Sequence, residues 1–242
     1  VSTSECQKLF GVLDYGAEFR LTRLMLKILR EDEIFYDVGA HVGFYTLLAS
    51  AISQSGRIYA FEPNPYVYRV LKDAVAKNSN IVALPYAVSD RTGVIELKIP
   101  LSAYTGASSI REVHRWAHRF QRWALGIDEK RVKRIKVPST SIDSFVSKTR
   151  DPPTFIKIDV EGAEDLVVRG AKRVIEEHRP KISMEIWRIP GETPHKRAAE
   201  ILYSLGCKSY AITSEGNLVK DDFEKLRSRE NLGFSDNILF IC

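Results

Sequence analysis

Asp37-Val38-Gly39-Ala40-His41-Val42-Gly43 joins an apolar run to a helix-like segment, and its residue types suit a close approach of backbone to ligand. Glycine permits a tight turn and close contact. A helix opening after Gly43 aims free N–H groups at any anion above it. The dinucleotide fingerprint G-x-G-x-x-G is absent; position 41 is histidine, and Gly39 and Gly43 make a G-x-x-x-G turn instead. Glu62 lies 23 residues beyond Gly39, at the end of the next apolar run. In a doubly wound sheet such an acid stands beside the first loop, where it can accept both hydroxyls of a ribose. Loop and acid together point to an adenosine-type ligand. The alternative is a solvated acid in the turn before Pro63.

Three more carboxylates sit at strand ends. Asp159 closes the run Thr154-Phe155-Ile156-Lys157-Ile158, Glu161 opens the helix that follows, and Glu185 is one residue from the end of Lys181-Ile182-Ser183-Met184-Glu185-Ile186. Each has a plainer reading. Asp159 or Glu161 suits a helix N-terminus, where the dipole favours negative charge, and Glu185 has Arg188 nearby as a partner. Paired carboxylates also suit magnesium, but no third ligand accompanies Asp159 and Glu185, so a metal-free site is expected. His178, ahead of Arg179-Pro180, reads as a helix C-terminal cap or surface residue. The three cysteines, Cys6, Cys207 and Cys242, have no metal-like or redox-like spacing and read as free thiols of a reducing compartment.

These residues need a frame, and the chain alternates in a way that supplies one. Leu21, Leu24, Met25, Ile28 and Leu29 follow helical spacing. Strands are expected at 34–38, 57–62 and 81–88, with helices over 44–52 and 66–77 between them. The pattern breaks at Gly93, with strand-like runs at 94–99 and 132–137, and resumes with a strand over 154–159, a helix over 163–177, a strand over 181–186 and a helix over 194–205. Two late strands at 208–213 and 237–241 end it. Strand and helix alternating at short spacing imply a parallel sheet with helices on both faces. Without repeats or low-complexity segments, the 242 residues read as one domain, with residues 1–32 as a helical extension.

The strings Asp37-Val38-Gly39-Ala40-His41-Val42-Gly43-Phe44-Tyr45-Thr46, Phe61-Glu62-Pro63-Asn64-Pro65, Ala87-Val88-Ser89-Asp90 and Ile156-Lys157-Ile158-Asp159-Val160-Glu161-Gly162-Ala163-Glu164 occur in this order. As an ordered set they resemble the FkbM family of S-adenosylmethionine-dependent methyltransferases. Val137-Pro138 and Ser141-Ile142-Asp143-Ser144-Phe145 resemble the stretch that this family carries ahead of its Asp-Val-Glu-Gly motif. The resemblance spans about residues 33–187, with the basic insert as a departure. It implies an α/β fold: a doubly wound, seven-stranded, mostly parallel, Rossmann-like class I sheet in the order 3-2-1-4-5-7-6, the last strand antiparallel. It implies S-adenosylmethionine as cofactor. Gly39, Ala40, His41 and Gly43 would wrap its methionine part and Asp37 would sit near its amino group. Glu62, with Pro63 and Asn64 beyond it, would hold the ribose, and Ser89 and Asp90 would stand where such enzymes contact adenine. Asparagine is frequent in the family where this chain has His41, which reads instead as a packed or backbone-bonded residue of the loop.

Methyl transfer from a sulfonium is an in-line displacement, and an alcohol acceptor also loses a proton. In the implied sheet the strands ending at Asp159 and Glu185 are neighbours, so Asp159, Glu161 and Glu185 can cluster beside the methyl group. Asp159 is the first choice as acceptor-side base. Asp151-Pro152-Pro153-Thr154 resembles the motif of amino-methyltransferases, but its prolines precede the strand, no aromatic follows, and a rigid turn is the better reading. That favours an oxygen acceptor, a sugar or other small hydroxylated metabolite, glycan or lipid-linked.

Composition agrees with a globular enzyme. Hydrophobic residues are 44% and charged residues 28%, which excludes a disordered tail, a collagen-like fibre and a multi-pass membrane protein. Net charge is +5, while residues 111–136 alone carry nine Lys/Arg against three acids. Within the insert at 101–136, Val113, Trp116, Phe120 and Trp123 fall on one helical face and Arg111, Arg115, Arg119 and Arg122 on another. Packing, an acceptor lid and contact with an anionic membrane surface are all open readings; nucleic acid ranks last for want of a known module. No secretory signal is visible, and Val38–Gly56, uncharged but holding three glycines, is not a membrane span. A cytoplasmic, at most membrane-peripheral, location is expected. A nicotinamide-dependent oxidoreductase on the same sheet and a noncatalytic adaptor built on the basic helix are the alternatives from other classes.

Overall fold

A computed structural model of the chain describes residues 15–100, 108–110, 132–187, 192–221 and 235–242. Its centre is β1 (Ile34–Val38), in which four successive side chains are buried. Such a run marks a parallel strand covered on both faces. Parallel neighbours flank it: β2 (Arg57–Phe61) then β3 (Ile81–Leu84) on one side, β7 (Phe155–Ile158) then β8 (Lys181–Trp187) on the other. Next to β8 lies β11 (Ser235–Ile241), antiparallel to it and to β9 (Lys208–Ile212) beyond.

Even residues of β1 face one way and odd residues the other, so two cores form. On one face α1 (Tyr15–Ile28) and α2 (Phe44–Ile52) bring Leu21, Met25 and Ala49 against Phe35, Ile58 and Phe155. On the other, α4 (Ile142–Thr149), α5 (Glu164–Arg169), α6 (Lys172–His178) and α7 (Pro194–Ser204) enclose Tyr36, Phe61, Ile156 and Met184. The Phe145 ring meets Tyr36, Tyr59 and Phe61 edge-on at 5.1–5.7 Å between centroids. The helices carry local start signals: Asn64 caps α3 (Pro65–Val75), Ser141 caps α4 and Thr193 caps α7, each side-chain oxygen accepting an N–H of the first turn.

Through β9 the sheet order is the one the family resemblance implies, with the strand after α7 outermost of those seven and the last strand inserted antiparallel between it and β8. It has eight strands rather than seven. The extra one, β10 (Leu218–Lys220), is a short hairpin return on β9 through Gly216 at φ +73. The expected strand 81–88 is two: β3 stops at Leu84 because Pro85 has no N–H to continue the ladder. Ala87–Val88 (β4) then joins a second sheet of order β4-β6-β5, with β5 at Gly93–Pro100 and β6 at Val132–Thr140. The expected helix 163–177 is also two, broken at Gly170. A Cβ there would lie 2.1 Å from the Ser89 carbonyl oxygen, so this point of the chain sits directly on the end of β4.

The free-thiol reading of the cysteines fails for two of them: Cys207 and Cys242 form a disulfide. The cause is register. Lys208 at the start of β9 pairs with Ile241 at the end of β11, which leaves the flanking cysteines facing each other although they are 35 residues apart in sequence. Cys6 and the insert residues 111–131, with Val113, Trp116, Phe120 and Trp123, lie outside the described residues. Among the described residues, no helix is long and apolar enough to cross a membrane.

Candidate active site

The carboxyl edge of the sheet gathers the sequence-singled residues because β1, β2 and β7 are adjacent and parallel. Val38 pairs with Ile158, so the loops that follow start side by side. Gly39 takes φ +80, and a Cβ on it would lie 1.8 Å from the Asp159 carbonyl oxygen. Only glycine fits this crossing. Its N–H and that of Ala40 both donate to the Phe61 carbonyl at 3.0 Å, which ties the loop to the end of β2. Gly43, at φ +94, is the N-cap of α2 and gives no side-chain cap, so the first turn of that helix keeps amide donors for a ligand.

Glu62 is 6% exposed. Its Oε2 accepts the His41 backbone N–H at 3.0 Å and its Oε1 the Asn64 N–H at 2.8 Å. Both bonds favour the ionised form, yet burial dominates and pushes the carboxyl up to about 7. His41 has φ +50, and its imidazole Nε2 is buried with no hydrogen-bond partner. Burial, foremost, lowers its proton affinity; Asp159 and Asp37 act against this and Lys157 with it.

Asp37 is fully buried. Its Oδ2 accepts a bond from the Thr46 hydroxyl at 2.6 Å and its Oδ1 lies 3.4 Å from the Lys157 ammonium. That ammonium is also 3.3 Å from Asp159 Oδ2, donates to the Gly39 carbonyl at 3.2 Å and lies 5.3 Å from the centre of the Tyr45 ring.

Beyond Asp159 the chain turns through Glu161 at φ +53. Glu161 is raised well above the ordinary carboxylate range by burial first, then by Asp159, Glu185 and Glu164. It does not open the helix. That helix, α5, starts at Glu164, so the dipole reading passes to Glu164 and Asp165. Glu164 is 1% exposed and accepts the Gly162 N–H at 3.0 Å. Its other oxygen is 3.5 Å from His195 Nδ1, which donates to the Glu185 carbonyl at 2.8 Å. Arg188, the partner suggested for Glu185, lies outside the described residues. Among the described residues no group of three or more His, Cys, Asp or Glu is placed to hold a metal ion.

Residues 37–213 match the family model described as the methyltransferase FkbM domain. The chain belongs to the FkbM methyltransferase family. A hexuronic acid methyltransferase, AglP of Haloferax volcanii, is 23% identical over 172 residues, covering 70% of this chain and 63% of its own length. Among solved structures, the FkbM methyltransferase of Methylobacillus flagellatus superposes with TM-score 0.53 at 17% identity, over 93% of this chain and 48% of that one. The fibrillarin of Aeropyrum pernix, solved with natively bound S-adenosyl-L-methionine, gives TM-score 0.50 at 17% identity, over 93% and 76%. The chain thus spans less than two thirds of the AglP relative and about half of the Methylobacillus protein. The fold is that of the class I S-adenosylmethionine-dependent methyltransferases, and the nicotinamide-dependent alternative is set aside.

The candidate site brings together Asp37, Gly39, Ala40, His41, Gly43 and Glu62, and beside them Asp159, Glu161 and Glu185. Their chemistry fits the cofactor of this fold: an uncapped helix start for its carboxylate, a backbone-fixed acid for its ribose and the orphaned His41 nitrogen in the same loop. Asn64 is placed for another task. Its Oδ1 caps α3 through the Tyr66 N–H and its Nδ2 bonds the Ser108 hydroxyl, while half-buried Pro63 shapes the turn. Ser89 and Asp90 follow directly on β4: the Ser89 N–H donates to the Thr140 carbonyl, its hydroxyl to Asp90, and Asp90 is exposed. Asp151 lies at the other end of β7, where its carboxylate takes the Tyr59 hydroxyl at 2.5 Å, as a turn residue does. Both roots of the basic insert reach the β2–α3 turn: Ser108 on Asn64, and Lys133, whose ammonium donates to the Tyr66 hydroxyl at 2.6 Å.

Two site residues escape a reading of motifs. Lys157 stands alone in the apolar strand Phe155–Ile158, and a charge inside a parallel strand covered on both faces was itself the signal. His195 follows Thr193-Pro194 in the first turn of α7; nothing in its spacing marks it.

Proposed function

We propose that this chain transfers the methyl group of S-adenosylmethionine to a hydroxyl of a sugar or other small hydroxylated metabolite. The observation that carries the reading is the juxtaposition, along the adjacent parallel strands β2, β1, β7 and β8, of the Gly39–Glu62 cradle with the carboxylates of Asp159, Glu161 and Glu185. The cofactor would lie over the loop, its ribose on Glu62 and its carboxylate at the start of α2. It supplies an electrophilic methyl. The chain's own contribution is to hold the acceptor oxygen in line and to take its proton.

Two acids divide that work. Asp159, 3.3 Å from the Lys157 ammonium, orients the acceptor. Glu161, whose proton affinity is raised first by burial and then by its acidic neighbours, takes the role of base ahead of Asp159. A carboxylate acceptor would need no base and would meet these three acids; a hydroxyl needs the base and meets no repulsion. The hexuronic acid named in the AglP relative supports a sugar as the carrier of that hydroxyl. A base must be unprotonated to act, so transfer climbs with pH through the raised Glu161 range, and Glu161→Gln removes the climb.

Calorimetric titration with S-adenosylhomocysteine, and with NAD in parallel, tests the cofactor. Saturable binding of the first alone is expected. An acceptor screen with labelled methyl groups follows, and its product is alkali-stable if the bond is an ether and alkali-labile if it is a carboxyl ester. Binding of NAD alone, or an alkali-labile product, overturns the reading.

A further inference from the structure

We propose that Lys157 is the positioning residue of this site: it pins the cofactor loop and supplies the positive charge that keeps the site from holding the sulfonium cofactor in preference to its neutral-sulfur product. The inference rests on the cofactor reading above and extends it to what happens after transfer.

Lys157 is the third residue of β7, and its side chain is 6% exposed. From the sheet it reaches the carboxyl edge, where its ammonium touches three groups at once. It donates to the carbonyl of Gly39, the loop residue that crosses Asp159 most closely. It lies 3.4 Å from Asp37, which is fully buried, and 3.3 Å from Asp159, whose side chain is 34% exposed. One partner therefore belongs to the cofactor loop, one to the buried base of that loop and one to the acceptor side. The ammonium also bears on His41, Glu62 and Glu161.

The chemistry of the reaction gives this charge a consequence. S-adenosylmethionine carries a positive sulfur and S-adenosylhomocysteine does not. A site walled by Asp37 and Asp159 alone would favour the cation and would hold the sulfonium back in its ground state. A buried ammonium between those acids offsets them, and in a partly buried pocket a unit charge at several ångströms changes relative affinity by about three- to tenfold. Breaking the pair also leaves the buried Asp37 carboxylate and the partly exposed Asp159 carboxylate uncompensated, and the Gly39 carbonyl without its donor. Loss of Lys157 thus has two separable effects: a looser loop, which weakens both ligands, and a more negative site, which weakens them unequally.

The test is calorimetry with S-adenosylmethionine and S-adenosylhomocysteine on the wild-type chain and on Lys157→Met, Lys157→Gln and Lys157→Arg. In the Met and Gln variants, affinity for S-adenosylhomocysteine is expected to fall by about tenfold. The ratio of affinities is expected to move toward the sulfonium by about threefold or more, with Arg keeping the wild-type ratio. Asp159→Asn, at a partly exposed position, is expected to move the ratio the other way. Gln keeps a donor, so it carries the comparison where Met does not fold, and Asp159→Asn carries it where neither does. Equal weakening of both ligands, or an unmoved ratio in Asp159→Asn, overturns the proposal while leaving the cofactor reading intact. A wild-type chain that binds neither ligand overturns both.

Discussion

Glu62 is buried, is held at both oxygens by backbone N–H groups, and still titrates near 7. Ribose hydroxyls would be the further donors that its ionised form lacks, so the ligand binds the carboxylate form preferentially. The sign follows: with a free-protein value of about 7, affinity for S-adenosylhomocysteine falls as pH drops below that value. The slope approaches tenfold per unit, and affinity levels off above it. Glu62→Gln is expected to weaken binding at pH 8 and to flatten the pH profile; a profile that keeps the wild-type step assigns the titration to another group. The same carboxyl explains why the cofactor half of the site was legible in the sequence. Gly39, Gly43 and Glu62 act through backbone conformation and strand-end position, which spacing encodes. Lys157 and His195 act through partners 118 and 10 residues away, at Gly39 and Glu185, and those meetings exist only once strands pair and α7 docks.

At the scale of elements, the strand–helix alternation foretold the main sheet because each unit is short and locally signalled. What it could not foretell was where the chain leaves that sheet. Pro85 ends β3, and Ala87–Val88 pairs with Ser139–Thr140 instead. Gly170 splits the helical run that follows β7 because α5 and α6 must seat on the end of β4, and there the Asp143 N–H donates to the Gly170 carbonyl at 2.8 Å. A methyl group at 170 meets backbone oxygen rather than a movable side chain. Gly170→Ala is therefore expected to destabilise the protein by about 1–3 kcal/mol, although alanine ordinarily favours helices over glycine. A thermal melt checks it, and a neutral or raised melting temperature would mean that the two sheets are not in register here. At this junction the Ser89 N–H donates to the Thr140 carbonyl, beside the Ser141 cap of α4.

At the scale of the whole molecule, the two ends of the strands carry different duties. The carboxyl ends of β1, β2, β7 and β8 hold the candidate site. Cys207 and Cys242 lie at the opposite edge, because β9 runs parallel to β8 and its start is where the disulfide sits. Between the disulfide and Glu62 stand β8, β7 and β1 in sheet order. A cross-link that closes a loop of this length stabilises by up to about 4 kcal/mol in the chain-entropy view. Reduction, or Cys207→Ser, is thus expected to lower the melting temperature by several degrees. Affinity for S-adenosylhomocysteine at 25 °C should stay unchanged, since among the described residues no hydrogen bond or core contact of the glycine loop reaches β9. Loss of both on reduction would show that β9 and β11 are coupled to the far edge, and the strands between would then have to move as one body with the cofactor loop rather than serve as its fixed support.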